Sequence, residues 1–216
     1  LELGSAMLEG YVEFAAANDH FSVVATEHPL RRMLPIPGSD KLSPYQMVVR
    51  LDSLVQDDNT GVLFSLEHKT FTRLDRAHMD RDHQITSQVW MGRGLAETLG
   101  LNNPVAGVIY NGLRKQMPSD RVRNPLFERH EIMRTERSVE IFLHRAYWQA
   151  FQINQPDTQI YPQPNPMRCG RCDFQVPCLA YMNGGDYQSI LDELYTARRS
   201  TIKPAVEVES SESATD

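Results

Sequence analysis

The stretch YQMVVRLDSLVQDDNTGVLFSLEHK, residues 45–69, decides how this chain is read. Its two ends, residues 45–55 and 62–69, are rich in β-branched and large apolar residues, and between them lies Asp57-Asp58-Asn59-Thr60-Gly61. Two such runs around a polar, Gly-ended turn predict an antiparallel hairpin. A hairpin symmetric about Asn59 and Thr60 sets Asp52 opposite Glu67, with Cβ atoms about 5 Å apart. Two unshielded carboxylates at that distance repel, and a cation between them resolves the conflict. Side chains alternate along a strand, so Glu67 and Lys69 share a face and His68 points away. Two acids and an ammonium then converge on one spot. The plain alternative is a solvated strand pair, since Glu-x-Lys alone matches many unrelated sequences. Against it, Glu67 ends a run that is otherwise apolar (Val62, Leu63, Phe64, Leu66), and a carboxylate there needs a partner or a metal. A one-residue slip of register would put the acids on opposite faces.

Outward from this hairpin, residues 6–17 carry Met7 or Leu8, Tyr11, Val12 and Ala15 at helical spacing, and residues 21–26 read as a strand. Pro35, Pro37 and Gly38 mark a loop. A polar stretch runs from Lys69 to Asp82, and a helix is expected over residues 82–98, closed by Gly100. Residues 105–110 are an apolar run short enough to be a strand, followed by a charged, Arg-rich loop. Val139, Phe142, Leu143, Ala146 and Tyr147 form one stripe of a helix over 136–151. Pro156, Pro162, Pro164 and Pro166 make 154–168 extended and irregular, and a last helix is expected near 187–199. The expected class is α/β, a mixed central sheet flanked by helices. Residues 1–153 form its core, 154–200 a Cys-rich segment with the final helix, and 201–216 a disordered acidic tail rich in Ser and Glu.

With 216 residues, 41% of them hydrophobic, the chain can bury one substantial core. No run approaches the roughly 18 apolar residues of a membrane span, and no basic-then-apolar leader is present. A cytoplasmic protein with no membrane partner is expected. Position 1 is Leu, within what already reads as helix, so a missing N-terminal part is expected. The net charge of −6 is unpromising for a nucleic-acid partner, yet Glu207, Glu209, Glu212 and Asp216 lie in the tail and leave −2 elsewhere. Net charge therefore does not exclude DNA.

All three cysteines fall within ten residues, Cys169, Cys172 and Cys178. Thiolates at this C-x2-C-x5-C spacing suit a metal or an iron–sulfur cluster, and the odd count argues against a disulfide framework. Three reduced, partly buried thiols are the alternative. Spacing does not separate iron–sulfur from zinc, and a fourth ligand would come from a His, a partner or an absent segment.

The order of these features resembles the PD-(D/E)XK nuclease superfamily. The residues that carry the resemblance are Val48-Val49-Arg50-Leu51-Asp52, then Leu66-Glu67-His68-Lys69-Thr70, then Asp82-His83-Gln84, then Tyr110-Asn111 before Leu113-Arg114-Lys115. The likeness is greatest to its RecB-like branch, which includes phage exonucleases, and covers roughly residues 7–195. It implies a restriction-endonuclease-like core that cuts DNA, as an exonuclease in recombination, repair or phage DNA processing. It also implies Mg²⁺ or Mn²⁺ held by Asp52, Glu67 and the His68 backbone carbonyl, with Lys69 and Gln84 completing the catalytic set. A 4Fe–4S cluster on Cys169, Cys172 and Cys178 is implied, with Zn²⁺ as the alternative, as is a helicase or recombination partner. Arg114, Lys115, Arg121 and Arg123 are candidate phosphate contacts. Two features depart from the family. No residue among Glu9, Glu13 and His20 sits in the pattern of the early metal-binding His or Glu, and Gln88 stands where many relatives have Tyr. Two other classes stay open: a DNA-binding module with an incomplete site, and a small zinc-stabilised structural domain.

Overall fold

The computed structural model describes residues 2–74, 76–119, 123, 125–159, 162–196 and 206–207. The fold is α/β. Its elements are α1 (Glu2–Asn18), β1 (Phe21–Pro35), β2 (Leu42–Asp57), β3 (Leu63–Phe71), α2 (Arg76–Met79), α3 (His83–Thr98), β4 (Val105–Arg114), β5 (Phe127–Met133), α4 (Glu136–Ile153), α5 (Pro166–Cys169), α6 (Gln175–Met182), α7 (Tyr187–Leu194) and the two-residue β6 (Val206–Glu207). Five long strands form an open mixed sheet in the order β5-β4-β3-β2-β1, and β6 adds at the β1 edge. β1–β2, β2–β3 and β4–β5 are antiparallel, whereas β3–β4 is parallel with α3 as the crossover. The chain divides into two units, residues 1–151 with 204–216, and residues 152–203.

The expected hairpin is present in the expected register, with Ser53 opposite Leu66, Leu54 opposite Ser65 and Gln56 opposite Leu63. β3 lies between β2 and β4, and its residues 63–67 are all buried. Leu63 joins the main core, with Leu30, Leu51, Leu54, Ile85, Val89, Met91, Leu95, Val108 and Val139. Phe64 and Leu66 face the other way, into a smaller cluster with Val55 and Ile109. α3 packs closely on the sheet: a Cβ at Gly92 would lie 3.0 Å from Ser65 Oγ and 3.4 Å from a Val105 methyl. The helix starts where expected because the Asp82 side chain accepts from Gln84 N at 2.8 Å. Gly100, at φ +69, follows its end.

Several elements differ from expectation. β1 runs nine residues past Thr26, through Pro29 and to Pro35, pairing with β2 over most of its length. Apart from two pairs with β6 it is an edge strand, so a Pro without N–H is tolerated there. β4 extends four residues past Tyr110 and takes Arg114 into the sheet. The region read as an Arg-rich loop contains β5, FERHEIM, whose charged residues suit an edge strand. α7 stops at Leu194, with Tyr195 extended, rather than near residue 199. Pro166–Cys169 forms one helical turn inside the stretch expected to be irregular, capped by Asn165. Of the tail expected to be disordered, Val206–Glu207 pairs in parallel with Leu30 and Arg31; residues 201–205 and 208–216 lie outside the described residues. Among the described residues no helix is long and apolar enough to cross a membrane.

Candidate functional site

β2 and β3 are paired only as far as Ser53 and Leu66. One step further, the N–H of His68 is taken by a side chain: Asp52 Oδ2 accepts it at 3.0 Å. The carboxylate thus replaces a ladder acceptor where the strands part. A residue's N–H and C=O lie on the same side of its strand, so the His68 carbonyl faces the same gap.

Glu67 is 3% exposed. A charge so buried is tolerated only with partners, and it has three. Oε1 accepts from Gln84 Nε2 at 2.8 Å and from the Lys69 ammonium, and Oε2 accepts from Gln88 Nε2. Gln84 and Gln88 stand in the first two turns of α3, four residues apart and so on one face. The positive end of the helix dipole adds to their effect. Partial burial opposes the charge on Lys69, but the Glu67 hydrogen bond and the charges of Glu67 and Asp52 outweigh it and raise its pKa above the ordinary lysine value. Tyr110 stands beside Glu67 in the parallel β3–β4 register. Its hydroxyl pKa is raised by burial, with Lys69 opposing and Glu67 and Asp82 adding to the rise.

Glu67, Lys69 and Gln84 therefore meet at one place, and the Asp52 carboxylate is near enough for its charge to act on Lys69. The His68 ring is on the opposite face, where Nε2 lies 3.1 Å from Tyr11 Oη and the two rings meet edge to face. Asn111, fully buried, donates to the same Tyr11 hydroxyl and accepts from Arg129 Nε at 3.4 Å. Sequence reading missed Gln88 and Tyr110 as neighbours of Glu67. The i, i+4 spacing of Gln84 and Gln88 was the available signal. A third acid, Glu27, sits beside Asp52 in the β1–β2 register, at a left-handed φ of +46, but it is turned to Arg50 at 3.4 Å. Glu9 and Glu13 are exposed on α1.

In kind, the donors at the strand gap fit a small hard cation: two carboxylates and a carbonyl, all oxygen. Glu67 has one lone pair left beyond its three donors, and Asp52 Oδ1 has no protein donor among the described residues. Among the described residues no three His, Cys, Asp or Glu side chains are grouped to hold one metal ion, and this includes the cysteines. Cys169 and Cys178 are half-buried, Cys172 is exposed, and Cys169 Sγ accepts from Asn165 N at 3.2 Å. Among the described residues the three thiols are thus not gathered as one ligand set.

Of the candidate phosphate contacts, Arg114 is committed elsewhere. It donates to Glu128 Oε1 at 2.9 Å, to Pro125 O at 2.9 Å and to Thr72 O at 3.1 Å, and it lies over the Phe71 ring. Lys115 and Arg123 are exposed, and Arg121 lies outside the described residues. A cavity of about 650 Å³ lies toward the other end of α3, lined by Arg32, Trp90, Arg93, Glu97 and Glu136 among others, and none of the site residues lines it. Compared with protein-family models and with curated proteins, the chain matches none.

Proposed function

We propose that this chain is a metal-dependent DNA nuclease of exonuclease type, with a restriction-endonuclease-like core of the PD-(D/E)XK kind. The observation that carries the reading is the meeting of Glu67, Lys69 and Gln84, with the Asp52 carboxylate bonded to the next backbone N–H where β2 and β3 part. Asp52, Glu67 and the His68 carbonyl would hold Mg²⁺ or Mn²⁺. Such an ion, when bound, polarises a phosphate and acidifies water. Lys69 keeps its proton because of the acids around it, so it brings a positive charge to a phosphate whose negative charge grows during cleavage. Gln84 holds the Glu67 carboxylate in place.

A second reading is a DNA-binding module that does not cut. It is favoured by the three donors that already satisfy Glu67, since Lys69 neutralises the acid without any metal. One experiment separates the two. Single-stranded and duplex DNA are incubated with Mn²⁺ and either wild type or Lys69→Ala. The nuclease reading expects wild type to degrade DNA and the variant to be slower by about 100-fold or more, the scale of losing one charge-stabilising group. Intact DNA with retained binding supports the module, and intact DNA without binding rejects both.

A further inference from the structure

The cavity of about 650 Å³ toward the far end of α3 is lined by β1, α3, the loop before β4 and the first turns of α4, all within residues 1–151. Two of its lining residues are arginines, and each is fixed by a backbone carbonyl. Arg32 Nη1 donates to Trp90 O at 2.9 Å, with its guanidinium carbon 4.8 Å from the Trp90 ring centroid. Arg93 Nε donates to Val105 O at 3.2 Å. Their side chains are only 20% and 17% exposed. Their acidic partners are held far less firmly. Arg32 Nη2 lies 3.4 Å from Glu97 and Arg93 Nη1 lies 2.8 Å from Glu136, and those two side chains are 59% and 84% exposed. Glu140, the third acid of the lining, is exposed and paired with Arg137 at 2.8 Å.

An ion pair with an exposed partner contributes little, about 0–1 kcal/mol, so the glutamates leave the two guanidiniums under-neutralised. The effect shows on Arg32. Burial lowers its pKa below the usual arginine value, Glu97 does not make up the difference, and the charge of Arg93 lowers it further. Arg32 Nε and Arg93 Nη2 bond to nothing among the described residues. The C-terminal end of α3 and the N-terminal end of α4 both border the cavity, and their dipoles offset one another. A dianion would meet both cations at once, and guanidinium groups form strong, charge-assisted bonds with phosphate. Ala96, Leu101, Pro104, Val139 and Leu143 supply an apolar wall, and the volume is that of a small-molecule site. We propose that this cavity binds a small organic phosphate, a phosphate monoester. Its dianion displaces Glu97 and Glu136 from Arg32 and Arg93, and its apolar body rests on the wall formed by Leu101, Pro104 and Val139. The site is separate from the strand gap and does not depend on the metal reading.

The test is calorimetry on the full chain at low salt, without divalent ions, with phenyl phosphate and inorganic phosphate as probes. A pH of about 8 keeps both probes close to dianionic, since the second phosphate pKa is about 6. Wild type is expected to bind phenyl phosphate saturably at one site, and more tightly than inorganic phosphate. Arg93→Gln removes one cation and is expected to weaken phenyl phosphate binding by about tenfold or more, the scale of a bond to a charged group. Arg93 also holds Val105 O, so a second variant on the exposed surface guards against misfolding. Glu136→Gln removes a competing carboxylate and is expected to tighten binding by about two- to fivefold, the scale of an exposed ion pair. The proposal is overturned by no saturable binding to wild type, by equal affinity for the two probes, or by unchanged affinity in Glu136→Gln. Binding lost in Lys69→Ala but kept in Arg93→Gln would put the anion at the strand gap and overturn it as well.

Discussion

Glu67→Gln tests whether the buried acid is held as described, independently of any activity. The substitution keeps shape and removes charge. Three hydrogen bonds to a carboxylate, from Gln84, Lys69 and Gln88, become bonds to an amide that also carries donors of its own. Bonds to charged groups contribute about 1.5–3 kcal/mol and neutral ones about 0.5–1.5, so the loss is about 3 kcal/mol over three bonds. An amide is less costly to bury than a carboxylate, which returns part of this. Gln88 returns more by turning its side-chain oxygen, which is buried without a hydrogen-bond partner, to the new amide. A net destabilisation of about 2 kcal/mol remains, a fall in Tm of roughly 4–8 °C for a chain of this size. Both tryptophans, Trp90 and Trp148, lie in the unit that contains the site, so urea unfolding followed by Trp fluorescence reports on that unit. The difference also has a pH signature. The folded-state pKa of Lys69 is raised, so its contribution is fully present below the ordinary lysine value of 10.5 and is lost as pH rises through the higher folded value. The gap between wild type and Glu67→Gln should be constant from neutral pH to about 9 and narrow above about 10.5. A variant as stable as wild type at pH 7, or a gap that does not close in alkali, refutes the arrangement.

Two other substitutions probe the frame around the site. At Gly107 a Cβ would lie 2.5 Å from the Ile132 carbonyl oxygen and 3.0 Å from Met133 Cα, both backbone atoms of β5 that cannot move alone. Gly107→Ala should cost about 2–3 kcal/mol, and a thermal melt matching wild type would show that the β4–β5 pair gives way more easily. Arg114→Ala removes an ion pair whose side chains are only 14% and 13% exposed, together with the bonds to Thr72 and Pro125. It should cost about 2–4 kcal/mol yet leave oligonucleotide affinity, by fluorescence anisotropy, within about twofold of wild type. A large loss of affinity at unchanged stability would make Arg114 a phosphate contact after all.

The hairpin was legible because two runs rich in β-branched and large apolar residues, a Gly-ended polar turn and their spacing specify register together. Ser53 opposite Leu66 follows from these alone. The start of α3 was legible for a similar reason, since Asp82 caps it through a local bond. β5 was not. FERHEIM is charged along most of its length and becomes a strand only because β4 offers its open edge. The second half of β1 was hidden by Pro29 in the same way.

The register of the hairpin and the sharing of one strand face by Glu67 and Lys69 follow from the sequence, because turn spacing and strand alternation are local properties. What Glu67 does with its charge is set by packing between distant parts of the chain. Gln84 and Gln88 reach it from a helix 17 and 21 residues away in the chain. Which donors meet a buried carboxylate depends on how closely that helix packs on the sheet, and Gly92, whose Cβ would crowd Ser65 and Val105, keeps that approach close.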